Sequence, residues 1–143
     1  MPTSFDLVLL IDDEAGTNLL NQKIVDNARV TEFVEVRLNG QQAIHRLAEL
    51  HTQAQSLEIA RLHVLIFLDI NMPVMDGWEF LESFESFPLQ LKESCTIVML
   101  TTSFNPDDKS RAQKHPAVHK YLIKPLTPQK FENLLKIGRH GPN

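Results

Sequence analysis

The chain has 143 residues, 43% hydrophobic and 22% charged, with a formal net charge of -4 and one cysteine. That length suits one domain of ordinary size and leaves no room for a core plus an independent second domain. The acidic balance argues against a nucleic-acid binder, and a lone Cys95 excludes an intrachain disulfide framework or a cysteine-rich zinc site.

No run reaches the roughly 18 apolar residues of a membrane span. The segment Met1 to Asp6 lacks the basic and apolar regions of a signal peptide, so a cytoplasmic protein is expected. Leu7 to Ile11 is a continuous apolar run that stops at Asp12-Asp13-Glu14, as a strand buried on both faces would. Leu19, Leu20, Ile24 and Val25 then recur at helical spacing, which predicts an amphipathic helix through roughly Asn27 with those four inside. Phe33 to Leu38 is β-prone but charged, as an edge strand is, and Asn39-Gly40 breaks it. Ala43, Ile44, Leu47 and Leu50 form the stripe of a second helix. The crossover that follows, to His63, is long enough for either an extra helical turn or a loop.

Val64 to Leu68 is the next buried strand, and it ends on Asp69. Phe80, Leu81 and Phe84 give a third helical stripe, stopped near Pro88. Thr96 to Leu100 is a strand ending in Thr101-Thr102-Ser103, and Asn105-Pro106 caps a polar fourth helix over Asp107 to Lys114. Lys120 to Ile123 is the last strand and ends at Lys124-Pro125. Thr127-Pro128 caps the closing helix, with Phe131, Leu134, Leu135 and Ile137 on its inner face, before a frayed tail from Gly138. Strands and helices alternating in this way predict a doubly wound parallel sheet with helices on both faces.

In a parallel sheet the residues ending these strands gather on one edge, which is where α/β sheets place their chemistry. Asp12, Asp13 and Asp69 repel one another unless a cation neutralises them, and an all-oxygen set suits Mg²⁺. Lys124 and the Thr101 hydroxyl add donors for an anion, so the edge suits a phosphoryl group held between a metal and an ammonium. Taken singly, each residue has a plainer reading. Asp69 is then a turn cap, Glu14 a favourable charge at a helix start, Thr101 a β-branched strand residue, and Tyr121 a packing residue. His45, His51, His115, His119 and His140 have no metal spacing and read as solvated, while Cys95 reads as a small hydrophobe.

Together the pieces resemble the CheY-like receiver domains of two-component response regulators. They are Ile11-Asp12-Asp13-Glu14, Leu68-Asp69-Ile70-Asn71-Met72-Pro73-Val74-Met75-Asp76-Gly77, Met99-Leu100-Thr101 and Tyr121-Leu122-Ile123-Lys124-Pro125. The resemblance implies a five-stranded flavodoxin-like sheet of order 2-1-3-4-5, in one receiver domain over residues 1–143 with its core at about 5–137. It implies Asp69 as phosphoacceptor, and Mg²⁺ held by Asp13 directly, by Asp12 mainly through water, by Asp69 and by the main-chain carbonyl of Asn71. Lys124 would pair with Asp69 and then with a phosphoryl oxygen. Thr101 and Tyr121 would switch together, Lys124-Pro125 would be cis, and Gly77 would supply any positive φ the turn requires. Thr102 stands where receivers usually carry a smaller residue, which would narrow access to Asp69.

The expected function is a phosphorelay switch rather than an enzyme. It would take its phosphoryl group from a sensor histidine kinase or phosphotransfer protein, and signal through the fourth helix, fifth strand and fifth helix, without nucleic acid or membrane. As the chain runs only one helix past Lys124, output is expected to pass through another protein or onward to a phosphotransfer histidine. A haloacid-dehalogenase phosphatase would want an acid where Asn71 stands. A flavodoxin-like cofactor binder would want a phosphate loop where Asp12-Asp13-Glu14 stands, and a pseudo-receiver usually lacks one of the acids or the lysine.

Overall fold

A computed structural model describes residues 4–59 and 61–139. Five strands, β1 (Leu7–Ile11), β2 (Val34–Arg37), β3 (Val64–Leu68), β4 (Cys95–Thr101) and β5 (Val118–Ile123), form one parallel sheet of order β2-β1-β3-β4-β5. Six helices connect and close it: α1 (Ala15–Ala28), α2 (Gly40–Ser56), α3 (Gly77–Phe84), α4 (Leu89–Ser94), α5 (Pro106–Lys114) and α6 (Pro128–Arg139). This is the doubly wound parallel sheet expected from the alternating pattern, in the strand order that the resemblance implies.

The apolar runs are continuous because both faces of the sheet are covered. Along β1, Leu7, Leu9 and Ile11 enter one core with Leu47 of α2 and Phe80, Leu81 and Phe84 of α3. Val8 and Leu10 enter the other, with Ile24 and Val25 of α1 and Phe131 and Leu134 of α6. Among the described residues no helix is long and apolar enough to cross a membrane.

Several local expectations need correction. In α1, Leu19 and Leu20 are 58% and 48% exposed, and the inner face is made by Asn18, Asn21, Ile24 and Val25. Asn18, Asn21 and Ile24 follow one another at three-residue steps and Val25 stands four after Asn21, whereas Leu19 and Leu20 fall outside that arc. The long crossover proves helical: α2 runs to Ser56, since no Gly or Pro interrupts 41–56. Asn39 does not merely end β2; its side chain accepts from the Gln42 N–H at 2.9 Å and caps α2. Helix α3 ends at Phe84, a few residues before Pro88, and Pro88 itself opens an additional helix, α4, which buries Leu91. Helix α6 takes in Gly138 and Arg139, where a tail was expected; residues 140–143, and the side chain of Ile137, lie outside the described residues. The caps at Asn105 and Thr127 form as expected, accepting from Asp107 N–H and Lys130 N–H.

The charges on edge strand β2 tie it to α2. Arg46 donates to the two carboxylate oxygens of Glu35 at 2.7 and 3.2 Å, and Arg37 adds a contact at 3.2 Å. Hydrogen bonding from Arg46 holds the Glu35 carboxyl below its ordinary pKa, against the opposing effect of partial burial. A lowered pKa contributes stability above the ordinary Glu value, and that stability is lost as pH falls through the folded-state value. Glu35→Gln is therefore expected to cost about 1 kcal/mol at neutral pH. The cost should shrink as pH falls below the ordinary Glu value toward the lowered folded-state one, as read by denaturant unfolding of both proteins across pH. A cost that does not change with pH would contradict this role for the pair.

Candidate functional site

Because all five strands run parallel, their carboxyl ends meet on one edge. Asp12 and Asp13 leave β1, Asp69 leaves β3, Thr101 ends β4 and Lys124 leaves β5. One oxygen from each of Asp12, Asp13 and Asp69 lies within 4.8 Å of the others, the one such grouping of potential metal ligands among the described residues. Asp12 and Asp69 are buried and Asp13 is exposed. Lys124 Nζ stands 2.6 Å from Asp12 Oδ2 and 3.2 Å from Asp69 Oδ2, so the lysine expected to pair with Asp69 is shared between two acids.

Main-chain donors fix the remaining oxygens: Ile70 N–H donates to Asp69 Oδ1 at 2.8 Å and Glu14 N–H to Asp12 Oδ1 at 2.9 Å. Burial first, and then the Asp12 charge, push the Asp69 carboxyl above its ordinary pKa, while Lys124 and the Ile70 N–H oppose them. Burial pulls Lys124 down, but Asp12 and Asp69 outweigh it and hold the ammonium above its ordinary value. Three acids against one lysine leave excess negative charge, which a divalent cation relieves. The donors are all oxygen and two of the three carboxylates are held rigidly, so the set fits Mg²⁺ or a similarly hard ion.

The loop from Ile70 to Asp76 is pinned where it meets α3. Asp76 and Glu79 form a reciprocal capping box at the start of α3, with bonds of 2.9 and 3.1 Å, and Gly40 N–H of α2 donates to the Met75 carbonyl at 3.0 Å. Gly77 is required, though for a different reason than expected. The positive φ of this turn falls on Val74, at 69°. At Gly77 an added Cβ would run into the Asp69 main-chain oxygen and stand 2.9 Å from Ile70 Cα.

Thr101 is fully buried, and its hydroxyl accepts from Ser103 N–H at 3.2 Å. Half-buried Tyr121 donates its phenol to the Ser103 carbonyl at 3.0 Å. The Ser103 hydroxyl in turn meets Asp108 Oδ2 of α5 at 2.6 Å. Ser103 thus joins Thr101, Tyr121 and α5, a role sequence reasoning missed, since a serine in a loop carries no signal of its own. Thr102 is exposed. The Lys124-Pro125 bond is cis, and Lys124 N–H donates to the Thr101 carbonyl at 2.8 Å, which sets the ends of β4 and β5 side by side.

Away from the edge, the Arg111 guanidinium of α5 lies 4.1 Å from the Trp78 ring centroid. Burial pushes the Cys95 thiol up to about 12, in keeping with an inert hydrophobe. His119 departs from the solvated reading. It sits where the β4–β5 register shifts, its Nε2 is buried without a partner, and burial lowers its pKa.

The sequence model of the response regulator receiver domain matches residues 8–136. The chain is 30% identical over 128 residues to "Probable methanogenesis regulatory protein FilR2" of Methanothrix harundinacea, covering 90% of this chain and 76% of that protein. It is 31% identical over 102 residues to "Response regulator Rcp1" of Synechocystis, covering 71% and 65%. A two component response regulator from Cytophaga hutchinsonii superposes with a TM-score of 0.79 at 32% identity, over 93% of this chain and 96% of that one. The Mn²⁺-bound form of Rcp1 superposes at 0.63 with 27% identity, over 92% and 89%.

Proposed function

The chain belongs to the response regulator receiver domain family of phosphorelay signalling, and from that premise we propose that Asp69 accepts the phosphoryl group and that its neighbours divide the remaining work. The observation that carries this is the Lys124 ammonium held 2.6 Å from Asp12 and 3.2 Å from Asp69, beside a third acid. Receiver domains are phosphoacceptor switches rather than turnover enzymes. Asn71, where a phosphatase would place its acid, carries no exchangeable acidic proton.

An Asp69 oxygen attacks the phosphorus of a phosphohistidine. The P–O bond forms as the P–N bond breaks, the imidazole leaves, and an acyl phosphate remains on Asp69. Mg²⁺, held by Asp12, Asp13, Asp69 and the Asn71 carbonyl, would neutralise charge on the transferring oxygens. Lys124 is already placed to exchange its Asp69 contact for a phosphoryl oxygen. Thr101 would give up the Ser103 N–H and donate its hydroxyl to the phosphoryl group. Loss of that bond frees Ser103, and with it the Tyr121 phenol and the Asp108 side chain of α5. The change reaches the face formed by α5, β5 and α6, where we place the downstream protein partner. The donor is a histidine kinase or phosphotransfer protein.

Incubation with acetyl phosphate and Mg²⁺ should add the mass of one phosphoryl group to the intact protein, removable by hydroxylamine. Replacing Mg²⁺ with a chelator should suppress the gain. A protein that gains no mass with metal present would overturn the assignment.

A further inference from the structure

Helix α1 turns two asparagines, not two leucines, toward the sheet. Asn18 and Asn21 are 4% and 3% exposed while Leu19 and Leu20 face solvent. Asparagine is a modest helix former, and a buried amide costs free energy unless its hydrogen bonds are made. One of the Asn18 bonds is made: Nδ2 donates to the Asp12 carbonyl at 2.8 Å. Its Oδ1 is buried and has no partner. Asn18 and Asn21 also line a small cavity of about 10 Å³ shared with Asp12 and Asp69, its apolar wall made partly by Phe67 and Leu100. A volume of that order is what one water molecule needs, provided polar partners surround it.

The chemistry of the lining specifies what fits. The Asn18 oxygen and the carboxylates of Asp12 and Asp69 are all acceptors, so only a molecule with two donors satisfies both kinds at once. Each carboxylate oxygen of Asp12 and Asp69 has one bonded partner among Glu14 N–H, Ile70 N–H and Lys124, which leaves lone pairs for another donor. Asn21 also lines the cavity, and its amide is able to donate to such a molecule. A water, with two donors and two acceptors in a volume this small, fits this pattern.

We propose that Asn18 is a positioning residue for the phosphoacceptor: through one buried water it fixes the Asp12 and Asp69 carboxylates from the α1 side. The inference rests on the reading of Asp69 given above. The simpler alternative is that Asn18 only ties α1 to the end of β1 through its single bond to Asp12.

Two measurements separate these. A high-resolution crystal structure of the wild-type protein should show one ordered water within hydrogen-bond distance of Asn18 Oδ1 and of an Asp12 or Asp69 oxygen. Density showing none there overturns the proposal, whether or not any variant folds. Asn18→Leu should raise the Mg²⁺ dissociation constant about tenfold, the scale of lost support behind metal ligands, as read by calorimetry. Its melting temperature should stay within a few degrees of wild type, because leucine is close to asparagine in shape and brings no polar group of its own into the buried position. An unchanged Mg²⁺ dissociation constant in the folded variant overturns the proposal and leaves the reading of Asp69 standing, provided the wild type still gains one phosphoryl group. If the wild type neither binds Mg²⁺ nor gains mass, both fall.

Discussion

Asp69→Asn is expected to abolish the phosphoryl gain completely, with no residual modification at any donor concentration. The amide has nearly the volume of the carboxylate, and its oxygen still accepts from Ile70 N–H, whose bond to Asp69 Oδ1 is 2.8 Å in the wild type. What disappears is the nucleophile, since a neutral amide oxygen does not form the acyl phosphate. Stability should move the opposite way. The substitution removes one of three crowded acids, the one whose charge is disfavoured first by burial and then by Asp12. Lys124 retains its Asp12 partner at 2.6 Å. A gain of about 1 kcal/mol in unfolding free energy is the expected scale when an active-site charge is relieved. Intact mass and denaturant unfolding on the same preparation read both effects. A variant that still takes up phosphoryl, or that loses phosphorylation merely because it has unfolded, would contradict this account.

Gly77→Ala carries the second large effect. The obstacles to a Cβ at this position are main-chain atoms of Asp69 and Ile70, not the tips of flexible side chains, so relief requires the strand end itself to move. Gly77 N–H also donates to the Ile70 carbonyl at 2.8 Å, and any shift stretches that bond. Forced overpacking of this kind costs about 1–3 kcal/mol. Displacing the Asp69 main chain by even ~1 Å should slow phosphorylation on the order of a hundredfold. Gly16→Ala is the matching control: nothing lies within 4 Å of an added Cβ, and the residue is exposed near the start of α1. It should be neutral or stabilise by up to about 1 kcal/mol through helix propensity, without changing the phosphorylation rate. Equal rates for wild type and Gly77→Ala in an acetyl phosphate time course would show that the close approach does not position Asp69.

The gathering of the polar strand-end residues at one edge was legible in the sequence because each follows a strand-forming run. Asp12, Asp69, Thr101 and Lys124 are placed by the strands before them, and a parallel sheet brings strand ends together whatever the helices do. The inner face of α1 was not legible. A hydrophobic pattern assumes that apolar residues face the core, and here Leu19 and Leu20 yield that face to Asn18 and Asn21, which serve the polar edge of the sheet. Helix α4 was hidden because Pro88 signals a stop and a start equally well, and the choice depends on the burial of Leu91. The length of α2 was ambiguous because its last turns, Gln53 to Ser56, carry only one buried residue, Ala54. Ser103 acts through main-chain atoms and a short hydroxyl contact to a helix five residues on, which no spacing rule anticipates. Gly77 was singled out for its backbone freedom, whereas the constraint is the space beneath it.

The most direct test of the account is to locate the phosphoryl group. After phosphorylation with acetyl phosphate and Mg²⁺, borohydride reduction converts an aspartyl phosphate to homoserine, and peptide mass analysis reads where the change lies. The account predicts homoserine at position 69 and nowhere else in the chain. Reduction at Asp12 or Asp13, or a phosphoryl group resistant to borohydride on a serine, threonine or histidine, would contradict it.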